Sequence, residues 1–170
     1  MKKYFLIAAG FFILLPGCEV KVNTKGDEKT NSASGKIRND IDLHAKGLKV
    51  TQAFLLYEDG SLVPKDNAAG VNQKILLRLI IENGWKVVNN KVMVGASESI
   101  ETDDGKVLLN EQDLFQNMPE GVNKEDAGAI TISAVITRVD KLYDYFIVKF
   151  RLWDKAGNGE VSGSYKLYIK

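Results

Sequence analysis

Apolar and polar residues alternate one by one along the C-terminal part of the chain, and this period of two most constrains what the chain can fold into. Phe146, Val148, Phe150 and Leu152 alternate with Tyr145, Ile147, Lys149, Arg151 and Trp153. Val161, Tyr165, Leu167 and Ile169 alternate with Ser162, Ser164, Lys166 and Tyr168. Successive side chains of a strand point to opposite faces, so each run offers one face to a core. The stretch DKAGNG, 154–159, lies between the two runs and predicts a hairpin loop. Pairing Leu152 with Val161 then sets Trp153 opposite Glu160, Arg151 opposite Ser162, Ile147 opposite Lys166 and Tyr145 opposite Tyr168.

The same pattern recurs upstream. Ile130, Ile132, Ala134 and Ile136 alternate with Thr131, Ser133 and Thr137. Ile75, Leu77, Leu79 and Ile81 form one strand face, and Leu76 and Ile80 suit its other face to cover as well. Leu48, Val50, Phe54 and Leu56 predict an earlier inner face, with Gln52 out of pattern. Residues 92–100 form a further strand in which Gly95 predicts a bulge. Asp-Gly and Asn-Gly pairs at 59–60, 83–84 and 104–105 supply turns. Residues 110–118 read as a short helix with Leu114 and Phe115 toward the core, and 123–127 as one further turn.

No sustained 3.6-residue period and no helical crossover interrupts these runs, so a parallel sheet is not expected. The expectation is an all-β fold: an immunoglobulin-like antiparallel β-sandwich of about seven strands with one or two short helical turns. The likeness to immunoglobulin domains is architectural, because their two cysteines around a buried Trp are missing.

Composition removes whole classes of chemistry. The chain has one cysteine, Cys18, and one histidine, His44, among 170 residues. That excludes an internal disulfide, a Cys-rich zinc site and any His-pair motif. The formal charge is +1, and loss of Lys2 and Lys3 leaves 21 basic against 22 acidic residues. Without a basic field, nucleic-acid binding is not expected. No cofactor is expected either.

The first residues follow a different plan. Lys2 and Lys3 precede an almost wholly apolar run from Tyr4 to Leu15, then Pro16, Gly17 and Cys18. A charged start, a short apolar stretch and turn-forming residues before a cut make a secretory signal. The run is too short for the roughly 20 residues a membrane-spanning helix needs. Leu15-Pro16-Gly17-Cys18 resembles the lipobox of bacterial lipoproteins, with Pro16 departing from the Ser or Ala commonest there. In that family the cysteine thiol receives a diacylglyceryl group, and signal peptidase II cuts before it. The resemblance implies a signal peptide at 1–17, lipidation at Cys18, and a domain held outside the cytoplasm on the cell membrane or outer membrane. Two or three acyl chains anchor stably where one is marginal. Residues 19–42 carry no aromatic residue and are rich in Lys, Asn, Ser, Thr, Gly and Asp. This composition predicts a tether over 18–45, followed by a globular domain over 46–170.

The predicted register leaves one outward face of the last hairpin with Tyr145, Ile147, Trp153 and Tyr168 among Lys149, Arg151 and Lys166. Exposed aromatics beside Arg serve recognition of a protein or a glycan, and equally they brace a sheet as cross-strand pairs. Tyr145, Arg151, Trp153 and Tyr168 are therefore the candidate binding residues. Asp154, Asn158 and Glu160 in one loop, and Asp103 and Asp104 in another, offer oxygen ligands, but their spacing matches no calcium loop and suits turns. Glu98, Glu101 and Asp103 lack a sequence context that would set two carboxyls across a cleft. His44 reads as a solvated linker residue. No catalytic or metal site is expected. The expected role is a non-enzymatic envelope lipoprotein with a domain that binds an envelope protein or a glycan. The alternatives are a structural or assembly subunit of an envelope complex and, more remotely, a hydrolase.

Overall fold

The computed structural model describes residues 36–137 and 140–170. The signal segment, the lipobox and Cys18 lie outside the described residues. In chain order the strands are β1 (Lys36–Ile37), β2 (Asp42–Lys46), β3 (Lys49–Tyr57), β4 (Ala68–Ala69) and β5 (Lys74–Asn83). Next come β6 (Val87–Val88), β7 (Lys91–Val92), β8 (Val94–Thr102) and β9 (Val107–Glu111). The last are β10 (Val122–Asn123), β11 (Ala129–Val135), β12 (Phe146–Asp154) and β13 (Glu160–Ile169). A short 3-10 turn, Asp126–Gly128, precedes β11.

These strands make a β-sandwich. One sheet runs β1-β3-β5-β11, and the other runs β2-β13-β12-β8-β9, with β4 pairing β13 off that path. Pairings are antiparallel except for the two short additions, β1 on β3 and β4 on β13. A three-stranded ribbon, β10-β7-β6, stands apart. The core lies between the two sheets. It holds Ile75, Leu77, Leu79 and Ile81 of β5, Ile130, Ile132 and Ala134 of β11, and Phe146, Val148, Phe150 and Leu152 of β12. Apolar burial on this scale drives folding, at about 25 cal/mol for each Å² of apolar surface removed from water. Among the described residues, no helix is long and apolar enough to cross a membrane.

The register of the last hairpin is as the sequence predicts: Leu152 faces Val161, Arg151 faces Ser162, Trp153 faces Glu160 and Ile147 faces Lys166. Other expectations need correction. In β3 the ladder shifts register between Val50 and Gln52. One extra residue in a strand exchanges its inner and outer faces. Leu48 and Val50 are buried before the shift and Ala53 and Leu55 after it, while Phe54 and Leu56 turn outward and are half-buried. Gln52 marks this bulge. Gly95 marks none: β8 runs in continuous register along β12, with Gly95 opposite Trp153, and its irregularity lies against β9 at Ile100 and Glu101. A Cβ at Gly95 would fall inside the Trp153 indole, so the glycine is there to seat the ring.

Residues 110–118 are not helical. Asn110 and Glu111 complete β9, and the Asp113 carboxylate then accepts the Phe115 N–H at 2.9 Å to form a side-chain-capped turn. Phe115 packs on the core, but Leu114 is exposed. The globular domain also begins earlier than the composition predicts. Residues 36–45, read as tether, supply β1 and β2, and β2 pairs with β13 from Asp42↔Ser164 to Lys46↔Glu160. His44 is thus a strand residue opposite Ser162, with its exposed ring 3.3 Å from Asp42. Five like-patterned residues suffice here because the edge of β13 supplies the partner.

Candidate functional site

The four candidate binding residues all lie on the outer face of the larger sheet, but the structure divides them. Tyr145 and Tyr168 sit at one end of the hairpin, with ring centroids 6.2 Å apart in an edge-to-face arrangement. The Lys166 ammonium stands 3.7 Å from the Tyr145 ring centroid. Aromatic pairs of this geometry and a cation over a ring both add to simple area burial. Arg151 and Trp153 sit at the other end, six and eight residues from Tyr145, or roughly 20 and 26 Å at the rise of a strand.

At that far end the aromatic is committed to the sheet. Trp153 lies over Gly95, and the Arg151 guanidinium stacks 5.1 Å from its ring centroid. Arg151 also donates to Glu160 at 2.6 Å, and this bond holds the Glu160 carboxyl below its ordinary pKa. Each group there already has a partner. Between the two ends the face is polar and small, with Ser97, Ser99, Ser162 and Ser164 around Lys149, whose ammonium is held by Glu101 at 2.7 Å. A shallow depression of about 250 Å³ lies there beside Asn110 and Gln112.

The tyrosine end opens on a larger hollow of about 660 Å³. Its origin is a gap in strand coverage. β2 pairs the edge of β13 as far as Ser164, and β4 resumes the pairing at Tyr168. On that edge residues 165–167 have no strand beside them, and the segments around Asp40 and Lys65 flank the gap as two walls. Asn39 and Asn67 pin those walls together. The Asn67 amide donates to the Asn39 carbonyl at 2.8 Å and to the Lys166 carbonyl at 3.0 Å. The Asn39 amide donates to the Asn67 side-chain oxygen at 2.9 Å and to the Val63 carbonyl at 3.0 Å, and its own oxygen accepts the Leu55 N–H at 3.1 Å. Both asparagines are buried at positive φ, a conformation Asn tolerates better than most residues.

Ile147 and Tyr168 form the apolar floor of the hollow, with Ser164 between the walls. Its rim carries Asp40, Asp42 and Asp66 against Lys65, Lys166 and Lys170. Lys170 donates to Asp66 at 2.6 Å, which with the Ala68 N–H holds the Asp66 carboxyl below its ordinary pKa. Sequence reasoning reached Tyr168, Ile147 and Lys166 through the hairpin register. It missed Asn39, Asp40 and Asp42, which lay in the presumed tether, and Lys65 to Asn67, whose approach depends on a two-residue parallel pairing.

The acidic loops are structural. Asp154 is buried and accepts the Lys86 N–H at 2.6 Å and the Ala156 N–H at 2.9 Å. Asp103 accepts the Asp144 N–H at 2.6 Å, and Asp104 holds Lys141 at 2.7 Å. Among the described residues, no group of three or more His, Cys, Asp or Glu side chains is placed to hold a metal ion. Glu98 and Glu101 lie on opposite faces of β8, Glu98 buried toward the core and Glu101 outward on Lys149, so they do not form a carboxylate pair. Glu98 is in mid-strand, not at the strand end the sequence implied.

No protein-family model and no curated protein sequence matches the chain. Among solved structures it is similar to the C-terminal domain of wzt, with 15% identity, coverage of 78% of this chain and 80% of that one, and a TM-score of 0.46. It is also similar to a superoxide reductase (neelaredoxin) from Ignicoccus hospitalis T24K, with 7% identity, coverage of 69% and 80%, and a TM-score of 0.37.

Proposed function

We propose that the chain is a non-enzymatic lipoprotein of the bacterial cell envelope, anchored through Cys18, whose sandwich domain binds a ligand outside the cytoplasm. The lipobox resemblance supports the address. The hollow at the tyrosine end supports the activity, and it is the observation that carries the reading. It combines an aromatic and aliphatic floor, a rim of side chains that offer hydrogen bonds, and a volume within the roughly 300–1,000 Å³ usual for ligand sites. Recognition is assigned to Tyr145, Ile147, Lys166 and Tyr168. Arg151 and Trp153 are assigned to the sheet. Binding of either a glycan or an envelope protein would use this face.

A photo-reactive phenylalanine analogue introduced at Lys65, on the rim, is expected to give a cross-linked adduct in intact envelopes. The same analogue at Thr131, on the outer face of the smaller sheet, is expected to give none. Equal labelling from both positions, or labelling from Thr131 alone, would remove the assignment.

A further inference from the structure

The rim, the floor and the blocked strand edge together define a ligand class. We infer that the hollow takes a neutral sugar ring, seated on Tyr168 and Ile147; this rests on the recognition role proposed above. Three acids and three lysines share the rim, so the site presents no net field. An anion would meet Asp40, Asp42 and Asp66; a cation would meet Lys65, Lys166 and Lys170. An acyl chain would have to desolvate these charges without compensation. A peptide adding itself as a strand needs free backbone groups. Here the Asn67 side chain occupies the Lys166 carbonyl, and the Asn67 carbonyl accepts the Tyr168 N–H at 3.1 Å.

A pyranose fits all of these conditions. Each hydroxyl both donates and accepts, so adjacent acids and ammonium groups are satisfied by one neutral molecule. Its C–H face lies on an aromatic ring without desolvating a charge. Tyr168 is 38% exposed, and among the described residues its hydroxyl and that of Ser164 make no hydrogen bond. Asp40 and Lys65 both line the hollow, and neither is held in an ion pair among the described residues.

The test is an array of neutral oligosaccharides (glucans, galactans, mannans and N-acetylglucosamine oligomers) with phosphorylated and sialylated glycans and extended peptides beside them. The full chain is applied in detergent, and hits are followed by calorimetry. A neutral oligosaccharide is expected to bind, and Tyr168→Ala is expected to weaken it about tenfold or more. Ser164→Phe, which fills the hollow from an outward position, is expected to abolish binding with the melting temperature preserved. If only charged glycans or peptides bind, and Tyr168→Ala weakens them, the sugar assignment falls while the recognition face stands. If nothing binds, the sugar assignment falls, and the cross-linking from Lys65 and Thr131 decides the recognition face; if a neutral sugar binds equally to wild type and both variants, the sugar assignment and the recognition face fall together.

Discussion

Glu98→Gln is expected to make the protein about 3 kcal/mol more stable at pH 8 and to change little at pH 4. Glu98 points from β8 into the space between the sheets and is 3% exposed. Its Oε1 has no hydrogen-bond partner, and neither has the buried Tyr165 hydroxyl. Burial, and to a lesser degree the Glu111 carboxylate across the ladder, pushes the Glu98 carboxyl from 4.5 up to about 7. Burial and Glu98 in turn push the Tyr165 hydroxyl well above its ordinary value. In the unfolded chain the Glu98 carboxyl ionises near 4.5, whereas in the folded protein it keeps its proton until about pH 7. The unfolded state therefore gains more from ionisation, and stability is lost as pH rises from 4.5 to 7. Above pH 7 the loss is complete. Glutamine is never charged, so the variant escapes it. Urea unfolding of both proteins at pH 4 and pH 8 measures the difference. Parallel pH profiles would show that Glu98 is solvated in the folded state.

The second large effect separates the two faces of the last hairpin. Phe146→Ala is expected to cost about 3–5 kcal/mol, the range for truncating a fully buried aromatic. Phe146 is 1% exposed and makes an edge-to-face contact with Tyr143 at 5.3 Å. Tyr145→Ala, one residue earlier on the opposite face, is expected to cost less than about 1.5 kcal/mol, since it loses a half-buried ring and its contact with Tyr168. Chemical denaturation of the two variants measures the contrast. Equal losses would mean that the outward tyrosines belong to the core, and the recognition reading would fail.

How much of this was legible from residue order depends on the range of the forces involved. The final hairpin was fully legible. Its strands are adjacent in sequence, and a period-two pattern with a Gly-rich loop fixes both face and register. β3 was legible only up to its bulge, because alternation assumes an unbroken ladder, and the exchange of faces between Val50 and Ala53 follows from pairing with β5. Gly95 carried a signal that was misread. A glycine in a strand marks either a bulge or a close approach, and the approaching ring belongs to Trp153, 58 residues later by number. Residues 36–45 read as tether because no apolar period distinguishes them, and they gain order from strand edges distant in sequence, β1 on β3 and β2 on β13. The hollow was the least legible feature. It is made by where two short strands stop, and no local pattern encodes the gap between Ser164 and Tyr168.

The address and the site support one account only if the domain stands outside the cytoplasm. Both depend on what happens at Cys18, since the acyl groups there are what would hold the Tyr168 hollow within reach of envelope ligands. The direct measurement is the intact mass and N-terminal fragment spectrum of the protein extracted from its native membrane. The account predicts a chain that begins at Cys18 and carries a diacylglyceryl thioether. A chain that begins at Met1, or one that presents an unmodified Cys18 thiol, would contradict it.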